Sequence, residues 1–175
     1  VGLVFQSPTN QVSAAGTNVE EELAFGLENS GIERDEIKRR VDEMVKMIGM
    51  ESFRKRNPFE LSGGQQQRVA IASVLIMEPK VLVLDEPAAQ LDPLGTRIVF
   101  DLIKKLAKKG ITIILNTQQI EQLAESADRI LILEKGEVVA DGSTREILTN
   151  INLLKKYGIM PSSLTLLSQR LKDKK

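Results

Sequence analysis

The chain has 175 residues, 42% of them hydrophobic, enough for one sizeable core and few for two full domains. Lys and Arg number 24 and Asp and Glu 24, so no net charge draws it toward nucleic acid or an acidic surface, and no nucleic-acid partner is expected. Cysteine and histidine are both absent, which excludes disulfides, thiolate metal sites and imidazole chemistry and fits a reducing compartment.

The opening run "VGLVF" reads as a strand already under way, with the expectation that an amino-terminal part precedes it. A polar loop, "QSPTNQVSAAGTN", leads into helices over Val19 to Leu27 and Arg34 to Ile48. In the second, Ile37, Val41, Met44, Val45 and Ile48 recur at helical spacing. Beyond Pro58 comes "ELSGGQQQRVAIA", a helix expected from Gln65 to about Met77 and stopped by Pro79. "VLVL" and "ITIIL" read as buried strands on either side of a helix over Leu94 to Lys109. "RILILEKGEVVADG" reads as strand, turn at Gly136 and short strand. The tail from Ser143 to Lys175 reads as small amphipathic helices split at Pro161. Apolar strands alternating with helices predict an α/β fold, a parallel sheet covered on both faces. No apolar run approaches the roughly 20 residues that span a bilayer, and no signal peptide is expected from the opening residues.

Chemistry concentrates at a few places. Ser62, Gly63 and Gly64 stand at a helix mouth, where unpaired N–H groups and the helix dipole attract anions and glycine admits a phosphate closely. An ordinary serine N-cap has the same residues. Asp85 and Glu86 close an apolar strand, at the end of a parallel sheet where ligands collect. Asp85 suits Mg²⁺ through bound water, and Glu86 suits a general base that polarises an attacking water. A solvated turn would look alike. Asp92 and Pro93 fit an N-cap and first helical position.

Together, "LSGGQQQRVA", "VLVLDEPAAQLDP", the upstream "VFQ" and the downstream "ADRILILEKGEVVADG" resemble the ATP-binding subunits of ABC transporters across almost the whole chain. The resemblance implies a P-loop NTPase-type parallel sheet core with a helical insert and small C-terminal helices. It divides the chain into 1–8 (strand end and Q-loop), 9–78 (helical subdomain with signature), 79–142 (core with Walker B, D-loop and switch) and 143–175 (appendage). It makes Leu61, Ser62, Gly63, Gly64 and Gln65 the signature, which caps the γ-phosphate of ATP held by a second ATPase subunit, alike or different. Asp85 becomes the Mg²⁺ residue with Gln6 of the Q-loop, Glu86 the catalytic carboxylate, and Leu91 and Asp92 the D-loop. Gln118 stands where the family's switch histidine is expected; its amide can hydrogen-bond a γ-phosphate but cannot carry charge or shuttle a proton. Ala88 replaces a usual threonine. The phosphate loop G-x-x-x-x-G-K-[ST] does not occur in the sequence and is expected upstream, so the chain alone should be inactive and bind ATP poorly.

"VFQSPTNQV", "NVEEELAFGLEN" and "LLKKYGIMPSSLTLLSQRL" further resemble the energy-coupling factor importers, a group that includes cobalt, nickel and vitamin uptake systems. That implies a peripheral place on the cytoplasmic side of the cell membrane, docked to membrane-embedded subunits through a groove around Ser13 to Gly31. Two other readings remain open: a catalytically degenerate partner that only completes a dimer, favoured by Gln118 and opposed by Glu86, and a soluble ABC ATPase of repair or translation.

Overall fold

The computed structural model describes residues 1–13 and 16–172. Residues 14–15, in the expected docking groove, and 173–175, at the end of the expected tail, lie outside the described residues. The chain packs as two compact units, Val1–Thr117 and Gln118–Lys175.

The first unit is built on three parallel strands, β1 (Gly2–Val4), β2 (Val81–Asp85) and β3 (Thr112–Asn116), in the order β1-β2-β3. Register aligns Gly2 with Leu82 and Ile113, and Val4 with Leu84 and Leu115. Between β1 and β2 run a 3-10 turn (Pro8–Asn10) and helices α1 (Val19–Asn29), α2 (Arg34–Met47) and α3 (Gly63–Leu75); α4 (Pro93–Lys108) joins β2 to β3.

Each end has a local cause. Asn18 caps α1, its Oδ1 accepting from Glu21 N at 3.1 Å, and Glu20, Glu21 and Glu22 sit at the favourable end of the dipole. Gly49, at φ +64°, ends α2, and Met50 N donates back to Val45 O at 2.9 Å. Helix α3 stops at Leu75, two residues short of the expected Met77. Met77 N and Glu78 N take carbonyls three residues back, and Glu78, before Pro79, adopts φ +53°.

Within the first unit the described helices cover one face of the sheet. Val4, Leu82 and Leu84 are fully buried with Ile71, Leu75, Phe100 and Leu106 in one cluster. On the opposite face Leu3 and Ile114 are 44% and 54% exposed. The strand order explains this: the sheet grows in one direction, and right-handed crossovers that advance the same way put their helices on the same side. Helices α3 and α4 accordingly pack on each other.

The second unit opens with α5 (Ile120–Ser126) and an antiparallel hairpin, β4 (Arg129–Glu134) and β5 (Glu137–Ser143). Its two-residue turn, Lys135-Gly136, has φ of +51° and +85°, the geometry that matches strand twist. β5, expected to be short, has seven residues. Helices α6 (Thr144–Thr149), α7 (Ile151–Lys156) and α8 (Ser163–Lys172) come next, so the tail breaks at Asn150 as well as at Pro161. Ile130, Ile132, Ile147, Leu148 and Leu154 form its core.

Candidate functional site

Parallel pairing delivers the carboxyl ends of the strands to one edge of the sheet, and with them the acidic pair. Asp85 is level with Asn116 on β3, whose Nδ2 donates to Asp85 Oδ1 at 2.7 Å. The next residue turns sharply: Glu86 has φ +45°, rare for a long side chain, with its N–H donating to Asn116 O at 2.9 Å. Thr117 Oγ1 donates to Glu86 Oε2 at 3.2 Å. Both carboxylates are therefore oriented by neutral donors, remain half-buried, and keep oxygens available to other partners. Mg²⁺ binds through one or two carboxylates with water and phosphate oxygens filling the rest, and Asp85 fits that role. No group of three or more His, Cys, Asp or Glu among the described residues could hold a metal unaided.

The serine and glycines lie at the mouth of α3. Ser62 is the N-cap, with extended backbone, and its N–H donates to Gln65 Oε1 at 2.9 Å. Gln65 thus braces the turn. Ser62 and Gly63 are exposed, Gly64 is half-buried and Leu61 buried. Gly63 and Gly64 do not have positive φ, and an added Cβ would meet only ordinary contacts: Leu91 Cδ2 at 3.6 Å from Gly63, and Gly95 Cα at 3.5 Å from Gly64. Packing within the chain therefore does not demand glycine here, whereas at Gly95 a Cβ would come 2.9 Å from Asp92 Oδ1.

Opposite stands the start of α4. Asp92 is its N-cap, Oδ1 accepting from Gly95 N at 2.6 Å, with Pro93 in the first turn. The two helix mouths enclose an open depression of about 330 Å³, lined by Ser62, Gly63, Gly64 and Gln65 on one side and Gln90, Leu91 and Asp92 on the other. Two N-terminal dipole ends border it, so it favours an anion.

Arg68, one turn further along α3, donates from Nη1 to Ile48 O at 2.6 Å and Gly49 O at 3.3 Å, the freed carbonyls at the end of α2. Partial burial pushes its guanidinium pKa down. At the other end of the helical insert, Glu22, buried at 3% exposure, accepts from Ser13 N at 2.8 Å and Ser13 Oγ at 2.9 Å. Arg54 ties Glu20 to Asp42 at 2.8 and 2.5 Å; with Lys55 it holds the Glu20 carboxyl at about 2.

Gln6 lies two residues past β1, exposed, and the 3-10 turn just after it packs on α3. It shares a smaller cavity with Gly63, Gln67 and Gln90. Gln118 opens the second unit, two residues past β3, and is exposed.

A family model described as "ABC transporter" matches residues 1–89. The chain belongs to the ABC transporter family. The energy-coupling factor transporter ATP-binding protein EcfA1 of Clostridium novyi is 47% identical over 98% of this chain and 61% of its own length. The EcfA protein of Methanocaldococcus jannaschii is 41% identical over 91% of this chain and 56% of its own. A solved structure of cbiO1 from Clostridium perfringens, described as part of the ABC transporter complex cbiONQ, superposes with a TM-score of 0.79 at 37% identity. It is covered to 66%, and this chain to 96%. The chain thus spans about three fifths of the length of the curated relatives it matches.

Within this ABC transporter fold the sequence reading missed Asn116 and Thr117, which orient Asp85 and Glu86. The signal was present: polar residues directly after "ITIIL", in a strand whose end must align with "VLVLD". It also missed Arg68, a lone cation in the polar run after the glycines.

Proposed function

We propose that this chain is the ATP-binding and ATP-hydrolysing subunit of an energy-coupling factor importer for a metal ion or vitamin. Its signature turn caps ATP held by a second ATPase subunit. The observation that carries the reading is the depression between the two helix mouths, where two glycines stand that internal packing does not require.

In this reading Ser62 Oγ and the N–H groups of Gly63 and Gly64 donate to the terminal phosphate in the partner's site, and Leu91 and Asp92 set the opposite wall. At the chain's own strand edge Asp85, supported by Asn116, would hold Mg²⁺, which would neutralise phosphate charge. Glu86, fixed by Thr117, polarises the attacking water. Gln6 links that edge to the helical insert, and Gln118 offers an amide to the γ-phosphate. No G-x-x-x-x-G-K-[ST] loop occurs in these residues, so the 175-residue polypeptide alone is expected to bind ATP weakly. The division into strand end and Q-loop (1–8), helical subdomain (9–78), core (79–142) and appendage (143–175) belongs to the same proposal. So does a peripheral position on the cytoplasmic face of the membrane, against membrane-embedded subunits; no helix among the described residues is long and apolar enough to cross a bilayer.

Glu86→Gln in the assembled transporter tests this. Loss of the base should lower turnover on the order of 10²-fold or more while ATP-dependent assembly persists. A second reading, a degenerate partner whose own site never fires, is favoured by glutamine at 118. It predicts that Glu86→Gln leaves turnover unchanged.

A further inference from the structure

Three helices end at the edge of the sheet where β2 and β3 begin. Helix α2 stops at Met47, α3 at Leu75 and α4 at Lys108, and the chain turns back at Gly49, Glu78 and Gly110, each with positive φ. Between these ends lies a groove of about 390 Å³, larger than the depression at the helix mouths. The length of β2, about 13 Å from Val81 to Asp85 at roughly 3.3 Å per residue, separates it from the acidic pair.

Its floor is apolar. Met44 and Met47 come from α2, Leu75 and Ile76 from the end of α3, Leu106 from α4 and Ile111 from the approach to β3. Met47 and Ile111 are half-buried and the other four buried. Methionine, unbranched and polarizable, adapts to guests of irregular shape. A concave apolar site of this volume, with a few polar groups at its edge, is the usual form of a small-molecule site.

The rim decides the charge of the guest. On the α2 side Arg39 holds Glu43 at 2.6 Å and Arg40 holds Glu78 at 3.3 Å, so both acids of the rim are already engaged. On the strand side Lys80 and Lys109 are exposed and have no ion-pair partner among the described residues. Lys109 Nζ stands 4.0 Å from Met47 Sδ, which brings an uncompensated ammonium to the lip of the apolar floor. The dipole at the end of α4 is already offset by Lys105 and Lys108.

We propose that this groove binds a single-chain anionic amphiphile of the fatty-acid type, its alkyl chain on the methionine, leucine and isoleucine floor and its carboxylate facing Lys80 and Lys109. A cationic guest would meet the lysines as like charges, and a fully polar one would leave the floor unused. The site stands on the groove and its rim and is independent of the ATPase reading.

The chain's five methionines report on it. Met44 and Met47 line the groove, and Met50, Met77 and Met160 do not. In methyl-13C-methionine NMR of the 175-residue polypeptide, dodecanoate should shift Met44 and Met47 and saturate at or below about 1 mM. Lys80→Gln and Lys109→Gln, both at exposed positions, should each weaken binding about two- to fivefold, and added salt should weaken it too. Dodecyltrimethylammonium, of equal chain length and opposite charge, should leave both signals in place. Equal shifts from either amphiphile, or shifts that include the exposed Met77 and Met160, mean non-specific coating and overturn the proposal. Unchanged affinity in both lysine variants overturns it, as does silence at Met44 and Met47 throughout the titration. A shift produced by protein concentration alone would give the groove to a second copy and overturns it equally.

Discussion

Replacing Gly63 by alanine separates a glycine kept for packing from one kept for a ligand. Its Cβ would lie 3.6 Å from Leu91 Cδ2, ordinary van der Waals contact, and the backbone there is one alanine adopts without strain. Alanine exceeds glycine by about 0.5–1 kcal/mol inside a helix. At the first helical residue, where Gly63 stands, a gain of a few tenths of that is expected. Urea unfolding of Gly63→Ala should therefore give a stability equal to wild type or slightly above it. On the proposed function, the same methyl in the assembled transporter would occupy the space a phosphate oxygen needs to reach the N–H groups, and turnover should fall at least about tenfold, a loss of roughly 1.4 kcal/mol in transition-state stabilisation. Gly95→Ala is the control. Its Cβ would press on Asp92 Oδ1 at 2.9 Å, disturbing the cap of α4, and about 1 kcal/mol of stability should be lost. If Gly63→Ala destabilises by more than about 1 kcal/mol while turnover stays at the wild-type level, the glycine serves packing and the phosphate reading fails.

Gln118→His in the assembled transporter should raise turnover by restoring a group that can carry a proton; an unchanged rate would show that the amide already suffices or that this site is silent. Arg68→Ala strips the donor from Ile48 O and Gly49 O, and should cost about 1–3 kcal/mol in urea unfolding; Arg68→Lys, lacking the planar fork, should recover part of it. Glu20 has a folded pKa of about 2 against an ordinary 4.5, so its contribution is fully present above pH 4.5 and vanishes as pH falls toward 2. The stability difference between wild type and Glu20→Gln should shrink over that window. A difference constant from pH 7 to pH 2 would mean that the Arg54 pairing contributes nothing.

Much of the fold could be read along the chain because its signals are local. Ser62 and Asp92 announce their helices by residue type and by the glycines or proline directly after them, and "VLVLD" announces both a strand and the carboxylate that ends it. The features that stayed hidden depend on residues far apart in sequence. That Asn116 meets Asp85 is a matter of strand register, set by the whole sheet, and that Leu3 and Ile114 face outward is a matter of strand order, on which a single apolar run is silent. In "QQQ" the residue types are identical, and only the phase of α3 against the core decides which amide is buried.

The left-handed turn at Glu86 sets durability against chemistry. Glycine or asparagine would occupy φ +45° more comfortably than glutamate, so relaxing that kink should make the molecule sturdier while deleting the carboxylate proposed as the base. Directed evolution for heat tolerance alone would drift away from the acid at this position, and on the proposed function its hardiest survivors would be inert.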